Sequence, residues 1–264
     1  MGLTLQEKIE KVKDLRPIDD VFFEVLAQNV DVCQEMLRVI LEDDALVVES
    51  VITQSSEQNI YGRSVRLDAL CKLGNGTKCN IEVQRSNNDD HLKRARFNAS
   101  SITVKESDTG EKFEEVVELY IVYISEFDFL KGAKTIYHVD KVLRETGAVV
   151  DDGLHEIFVN TVIDDGTDIA DLMACFMKKE ISSPKFPALS SEVKRLKATE
   201  GGALAVCEVM EKYEKIAADN AVKKERIKMI QEMLKNGFEK DIILKMNFTE
   251  DEYSEAKKQL LQLV

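Results

Sequence analysis

Residues 63–84 read RSVRLDALCKLGNGTKCNIEVQ, and this stretch decides the fold. Two alternating segments, Arg63–Leu73 and Thr77–Gln84, flank Gly74-Asn75-Gly76, a strong signal for a β-hairpin. A three-residue loop sets Cys71 opposite Cys79 and Asp68 opposite Glu82. One face then carries Leu67, Ala69, Cys71, Leu73, Cys79, Ile81 and Val83, all apolar. The other carries Arg66, Asp68, Leu70, Lys72, Lys78, Asn80, Glu82 and Gln84. A two-residue Asn-Gly loop would place Leu67 opposite Gln84, so the hydrophobic pattern selects the longer loop.

In that register two carboxylates face each other, with Cβ atoms about 5 Å apart, an unfavourable arrangement unless a positive group lies between them. A divalent cation fits, because Mg²⁺ takes one or two carboxylates, keeps several waters and accepts a substrate phosphate as a further ligand. The Val83 backbone carbonyl is a further candidate ligand. A solvated hairpin face with both acids turned into water is the other reading of the same residues.

Outward from the hairpin, residues 4–14 read as a short polar helix. Asp19–Leu41 has helical periodicity with a break near Asn29. Val47–Thr53 is strand-like, and Asn87–Lys105 restarts a helix with Asn88 or Asp89 as N-cap. Val116–Ser125 reads as a buried strand, with weaker strands at Thr135–Val139 and Leu154–Ile163. From Asp168 the chain is helical, with a long helix near Ala203–Lys235 closed by Gly237. The order is α-β-β-β-α-β followed by a helical tail. It predicts an α/β core with a mixed central sheet over residues 1–165 and a helical C-terminal region over 166–264.

The net charge of −13 looks wrong for a nucleic-acid enzyme. From Tyr61 to Lys105, however, nine Lys and Arg stand against four Asp and Glu. Phosphate binding depends on the local footprint, and an acidic remainder limits non-specific adhesion. Five scattered cysteines without a CxxC pair, and three isolated histidines, argue against a disulfide frame or a zinc site. No apolar run approaches the ~20 residues of a membrane span. No secretory or myristoylation pattern opens the chain, so a soluble, cytoplasmic protein is expected.

Arg66-Leu67-Asp68, thirteen intervening residues, then Glu82-Val83-Gln84 resembles the PD-(D/E)XK nuclease superfamily. It is most similar to the branch of nuclease-family transposases and recombination-promoting nucleases, in which the last motif position is commonly Gln. Ile18-Asp19-Asp20-Val21-Phe22 resembles the upstream helix of that branch, with Asp20-Val21-Phe22 as the preferred alignment. Lys93-Arg94-Ala95-Arg96-Phe97 resembles its basic helix, where Arg94 takes the family's arginine. The resemblance spans about residues 15 to 165 and implies a restriction-endonuclease-like αβββαβ core.

It further implies a Mg²⁺- or Mn²⁺-dependent DNA endonuclease linked to mobile elements or recombination. Asp68, Glu82 and Gln84 would be catalytic. Asp68, Glu82, the Val83 carbonyl and Asp20 would hold metal, and Lys93, Arg94 and Arg96 would bind nucleic acid. Two departures stand out: no proline precedes Asp68, and Gln84 replaces the motif lysine, so it orients through its amide without supplying charge. A catalytically silent nuclease-fold module that binds nucleic acid or a partner protein is the alternative. A third reading is a plain interaction protein. Two short helices after Gly237 suggest a helix-turn-helix, but the last helix is acidic at the end that would meet a groove. Packing or self-association into a homo-oligomer is therefore the expectation for the tail.

Overall fold

Thr4 opens the first helix, α1 (Leu5–Asp14), with a capping box: its hydroxyl accepts from the Glu7 N–H, and the Glu7 carboxylate accepts the Thr4 N–H at 2.7 Å. The structure, a computed structural model, describes residues 4–58, 64–87 and 90–261, the side chains of residues 5, 54–58 and 64–66 apart. The periodic segment after Pro17 divides at Asn29 into α2 (Asp20–Leu26) and α3 (Val30–Ile40). The Asn29 side chain accepts from the Asp31 N–H at 3.0 Å and so starts the second of these helices. Phe22, Phe23, Leu26, Cys33, Met36 and Leu37 are fully buried. Truncating Phe22 to Ala would cost about 3–5 kcal/mol.

The strands are β1 (Val48–Gln58), β2 (Ser64–Leu73), β3 (Lys78–Gln84), β4 (Leu119–Ser125) and β5 (Ile136–Val139). Then come β6 (Lys141–Val142), β7 (Val149–Val150) and β8 (Leu154–Asn160). Six form one mixed sheet in the order β1-β2-β3-β4-β8-β5, and β6 with β7 forms a separate ribbon that the sequence pattern did not announce. The β1–β2–β3 meander is antiparallel, β3–β4–β8 is parallel, and β5 returns antiparallel to β8. α4 (His91–Glu106) supplies the crossover from β3 to β4 that a parallel pair requires. Its N-cap is Asp90, which accepts from the Lys93 N–H at 3.1 Å. The expected caps, Asn88 and Asp89, lie outside the described residues.

The hairpin has the three-residue loop. Leu73 N–H donates to the Thr77 carbonyl at 2.9 Å, Gly76 sits at φ 92°, and Cys71 pairs with Cys79. The expected β4 is shorter than predicted: Phe113–Glu115 forms a 3₁₀ turn, and the strand starts at Leu119. The face shared by Leu70, Asn80 and Glu82 is not a wet surface. α4 covers it, packing Ala95, Ala99 and Ile102 against Leu70, Leu119, Ile121, Tyr123 and Phe158. On the opposite face the free thiols of Cys71 and Cys79 are buried, and the buried Cys33 thiol of α3 donates to the Ala27 carbonyl at 3.3 Å.

α5 (Asp168–Phe176) and α6 (Pro187–Ala198) pack on α3, and the Glu35 carboxylate accepts from the Ala188 and Leu189 N–H groups at the start of α6. Two compact units emerge, Met1–Val209 and Met210–Val264. The second is made from the end of α7 (Glu200–Lys235), α8 (Lys240–Lys245) and α9 (Glu250–Leu261), around Ile227, Ile230, Ile243 and Ala256. Gly237, at φ 81°, follows α7, and Thr249 and Glu252 form a capping box at the start of α9. Arg226 holds Glu252 at 2.5 Å and pulls its carboxyl down to about 2.

Candidate active site

β2 and β3 pair from Lys72↔Lys78 to Ala69↔Ile81, and the backbone ladder stops there. One residue further on, side chains take over. The Asp68 carboxylate accepts the Val83 N–H at 2.9 Å, and the Glu82 carboxylate accepts the Asp68 N–H at 3.3 Å. The Asp68 carboxylate thus stands in for a backbone rung at Val83, and the paired ladder ends where the two acids meet. A strand residue directs its N–H and C=O to the same edge, so the Val83 carbonyl faces that end of the ladder.

Glu82 is fully buried and Asp68 nearly so. Glu82 Oε1 accepts a second bond, from Asn80 Nδ2 at 2.9 Å, while Glu82 Oε2 has no hydrogen-bond donor among the described residues. Arg94 Nη2 lies 3.8 Å from that oxygen. Burial pushes both carboxyls up. Desolvation and then the Glu82 charge raise Asp68 well above the carboxylate range. Desolvation raises Glu82 to about 6 against the opposing pull of Asn80 and Arg94. Two buried acids with raised affinity for protons, and an oxygen lacking a donor, form a donor set suited to a hard divalent cation.

Gln84 extends the same face at the end of β3. Its amide oxygen accepts from Arg94 Nη1 at 2.9 Å, and its amide nitrogen donates to the Ser86 carbonyl at 3.0 Å. Asp20, the first residue of α2, adds negative field at both Asp68 and Glu82. The residue as a whole keeps solvent contact, yet desolvation by its neighbours raises its own carboxyl. Among the described residues no three His, Cys, Asp or Glu groups are close enough to share an ion. Asp20 therefore stands beside the pair without forming a three-acid cluster. Asp19 has a different task. It is buried and engaged with Arg16 and Arg85.

The basic helix separates its three cations. Arg94 points inward to Gln84 and Glu82, Arg96 is exposed, and Lys93 is exposed but ion-pairs with Asp90 at 2.6 Å. Lys72, Lys78 and Arg85 of the basic stretch also hold acids: Glu49, Glu106, and Asp19 with Glu126. The charge excess counted along the sequence is thus largely paired in space. The Arg66 side chain lies outside the described residues.

Two residues near the pair escaped sequence reasoning. Asn80 has a signal in retrospect, an amide two residues before Glu82 on the face that α4 covers. Tyr123 of β4 is the strand neighbour of Glu82, and its hydroxyl meets His91 Nδ1 at 2.9 Å. His91 Nε2 meets Asn87 Oδ1 at 3.2 Å, and its ring lies against Phe127 and Phe129. No local pattern links residues 82, 91 and 123.

The site lies where a central parallel strand adjoins an antiparallel hairpin, with α2 at one end and α4 above. In comparisons with curated proteins and with solved structures, nothing matches the chain. Residues 18–162, more than half of the chain, match the model of the PD-(D/E)XK nuclease family transposases, and the chain belongs to that family.

Proposed function

We propose that this protein is a divalent-metal-dependent DNA endonuclease that hydrolyses phosphodiester bonds, with its catalytic centre at Asp68, Glu82 and Gln84. The observation that carries this reading is the opposed pair of buried carboxylates at the point where the β2–β3 ladder ends, with Glu82 Oε2 lacking a donor among the described residues. A structural role alone gives no reason to bury two facing acids, since each raises the cost of ionising the other.

Asp68, Glu82 and the Val83 carbonyl would hold Mg²⁺ or Mn²⁺, with Asp20 as an outer or additional ligand. When bound, the ion supplies Lewis-acid polarisation of the phosphate and a more acidic water. The chain's own residues do the rest. Asn80 fixes one Glu82 oxygen, so that the other is directed by the fold. Gln84 brings an amide, a donor and an acceptor in one group, able to orient water or a phosphate oxygen. Arg94, lying between Glu82 and Gln84, offers the positive charge that Gln84 lacks in place of lysine. Lys93 and Arg96 form the outer phosphate contact. A role connected with mobile elements or recombination follows from the family and is part of this proposal. So are a cytoplasmic location and self-association through the C-terminal helices. Among the described residues no helix is long and apolar enough to cross a membrane.

The test is nicking of supercoiled plasmid in Mg²⁺, Mn²⁺, Ca²⁺ or EDTA, with Asp68→Asn in parallel. Cleavage is expected with Mg²⁺ or Mn²⁺ and not with EDTA, and Asp68→Asn is expected to abolish it while still binding DNA. Equal cutting by Asp68→Asn in clean preparations would overturn the assignment. Metal-independent DNA binding without cleavage would favour the silent-module alternative.

A further inference from the structure

Four charged residues at the C-terminal ends of β3 and β4 close into a ring. Arg16 Nη1 lies 3.0 Å from Glu126 Oε1, and Glu126 Oε2 lies 3.1 Å from Arg85 Nε. Arg85 Nη1 lies 2.7 Å from Asp19 Oδ1, and the same Asp19 oxygen lies 3.4 Å from Arg16 Nη2. Each ion therefore touches two of opposite sign, and the ring is neutral as a whole. The Asp19 carboxylate also accepts the Arg16 N–H at 2.6 Å, which locks the turn entering α2. Arg85 follows Gln84, Glu126 follows Ser125, and the Glu126 N–H donates to the Gln84 carbonyl at 2.9 Å.

Isolated surface ion pairs contribute little, but a closed network of partly buried ions with Arg forks fixes geometry. Arg16, Asp19 and Glu126 all have less than a quarter of their side chains exposed. The parts joined are informative. One is the turn whose next residue is Asp20; the other two are the ends of the strands that carry Glu82, Gln84 and Tyr123. Asp19 is at the N-cap position of α2 yet makes no side-chain capping bond, so its carboxylate serves the ring and not the helix.

We propose that the Arg16–Asp19–Arg85–Glu126 ring is a positioning device that holds Asp20 beside the Asp68–Glu82 pair. The proposal deepens the metal-site reading above. Its members are positioning residues: they touch neither the paired acids nor a substrate, and act through Asp20. Field and positioning act on metal affinity with opposite signs. Arg16 and Arg85 are cations near a cation site, so through field alone their removal should tighten metal binding. If they hold Asp20 in place, their removal should weaken it.

The experiment is Mn²⁺ titration calorimetry on the full chain, comparing wild type with Arg16→Gln, Arg85→Gln and the isosteric Glu126→Gln, each also in an Asp20→Asn background. Each ring variant is expected to weaken Mn²⁺ binding about tenfold, the scale of an outer-shell loss, and to have no further effect once Asp20 is Asn. Tighter binding by either arginine variant, or an equal loss in the Asp20→Asn background, would overturn the proposal. A metal-free arm separates this from the metal-site reading. Asp20→Asn should raise the melting temperature by removing repulsion with Asp68 and Glu82, and the gain should shrink in Arg16→Gln and Glu126→Gln. Should the wild type bind no Mn²⁺, the metal-site reading fails. The metal-free cycle then decides the ring alone, and an undiminished gain refutes it.

Discussion

Replacing Glu82 by Gln should make the metal-free protein more stable at neutral pH, although it removes a residue at the candidate catalytic centre. Glu82 is fully buried, and its carboxyl is raised from 4.5 to about 6. At about 1.4 kcal/mol per pH unit, keeping it ionised costs about 2 kcal/mol at neutral pH. The sign follows from proton binding. The folded carboxyl holds its proton more tightly than the unfolded one, so its contribution favours folding below pH 4.5 and is lost as pH rises through 6. Gln keeps the acceptor oxygen for Asn80 and for the Asp68 N–H but carries no charge. The variant's advantage over wild type should therefore be small at pH 4.5, grow between 4.5 and 6, and level off at about 2 kcal/mol. For a unit of this size that is a rise of about 4–8 °C in melting temperature. Differential scanning calorimetry in EDTA from pH 4.5 to 8 measures it. Mn²⁺ should reverse the ranking, because only the wild type gains stability from the ion. A stability difference independent of pH, or a variant less stable at pH 8, would refute the claim that Glu82 is held charged against its surroundings.

Other outcomes follow from the same geometry. Asn80→Ala removes the hydrogen bond that favours ionised Glu82, so the Glu82 carboxyl should titrate above about 6 in a ¹³C NMR pH series; an unmoved titration would remove Asn80 from the site. Lys93→Ala with Arg96→Ala, leaving Arg94 in place, should weaken DNA binding and lower its log–log salt slope by up to about two units. An unchanged slope in fluorescence anisotropy would mean the substrate runs elsewhere. Cys33, Cys71 and Cys79 are buried, and the Cys33 and Cys79 thiols are pushed up, by the Cys71 contact and by burial respectively. All three should resist a thiol reagent in the native protein and react on unfolding; rapid native labelling would contradict their packing.

The hairpin was legible because three local signals agree: alternation on both strands, a Gly-Asn-Gly loop, and an apolar face that only one register preserves. Pairing of Cys71 with Cys79, and of Asp68 beside Glu82, follows from counting. What was not legible is long-range. The basic stretch counts as a surplus along the chain, but Lys72 meets Glu49 and Arg85 meets Glu126, residues outside or at the far side of the window. A solvated face was one of two readings of the polar side of the hairpin, whereas the crossover helix covers it. Nothing near Glu82 in sequence announces Tyr123, and nothing near Arg16 announces Glu126. The β6–β7 ribbon has two residues in each strand, too few for alternation to register.

The parallel pairing of β3 with β4 has a consequence for the newborn chain. A ribosome has made both acids by residue 84, together with three strands whose antiparallel pairing is local in sequence. Tyr123 and Glu126 come some forty residues later, after a crossover helix, and parallel pairing across such a gap is slow to form compared with a local hairpin. Until then the acids lack the neighbouring strand, the covering helix and the ring that fastens the α2 turn. The two carboxylates are therefore made well before the surroundings that raise their proton affinity.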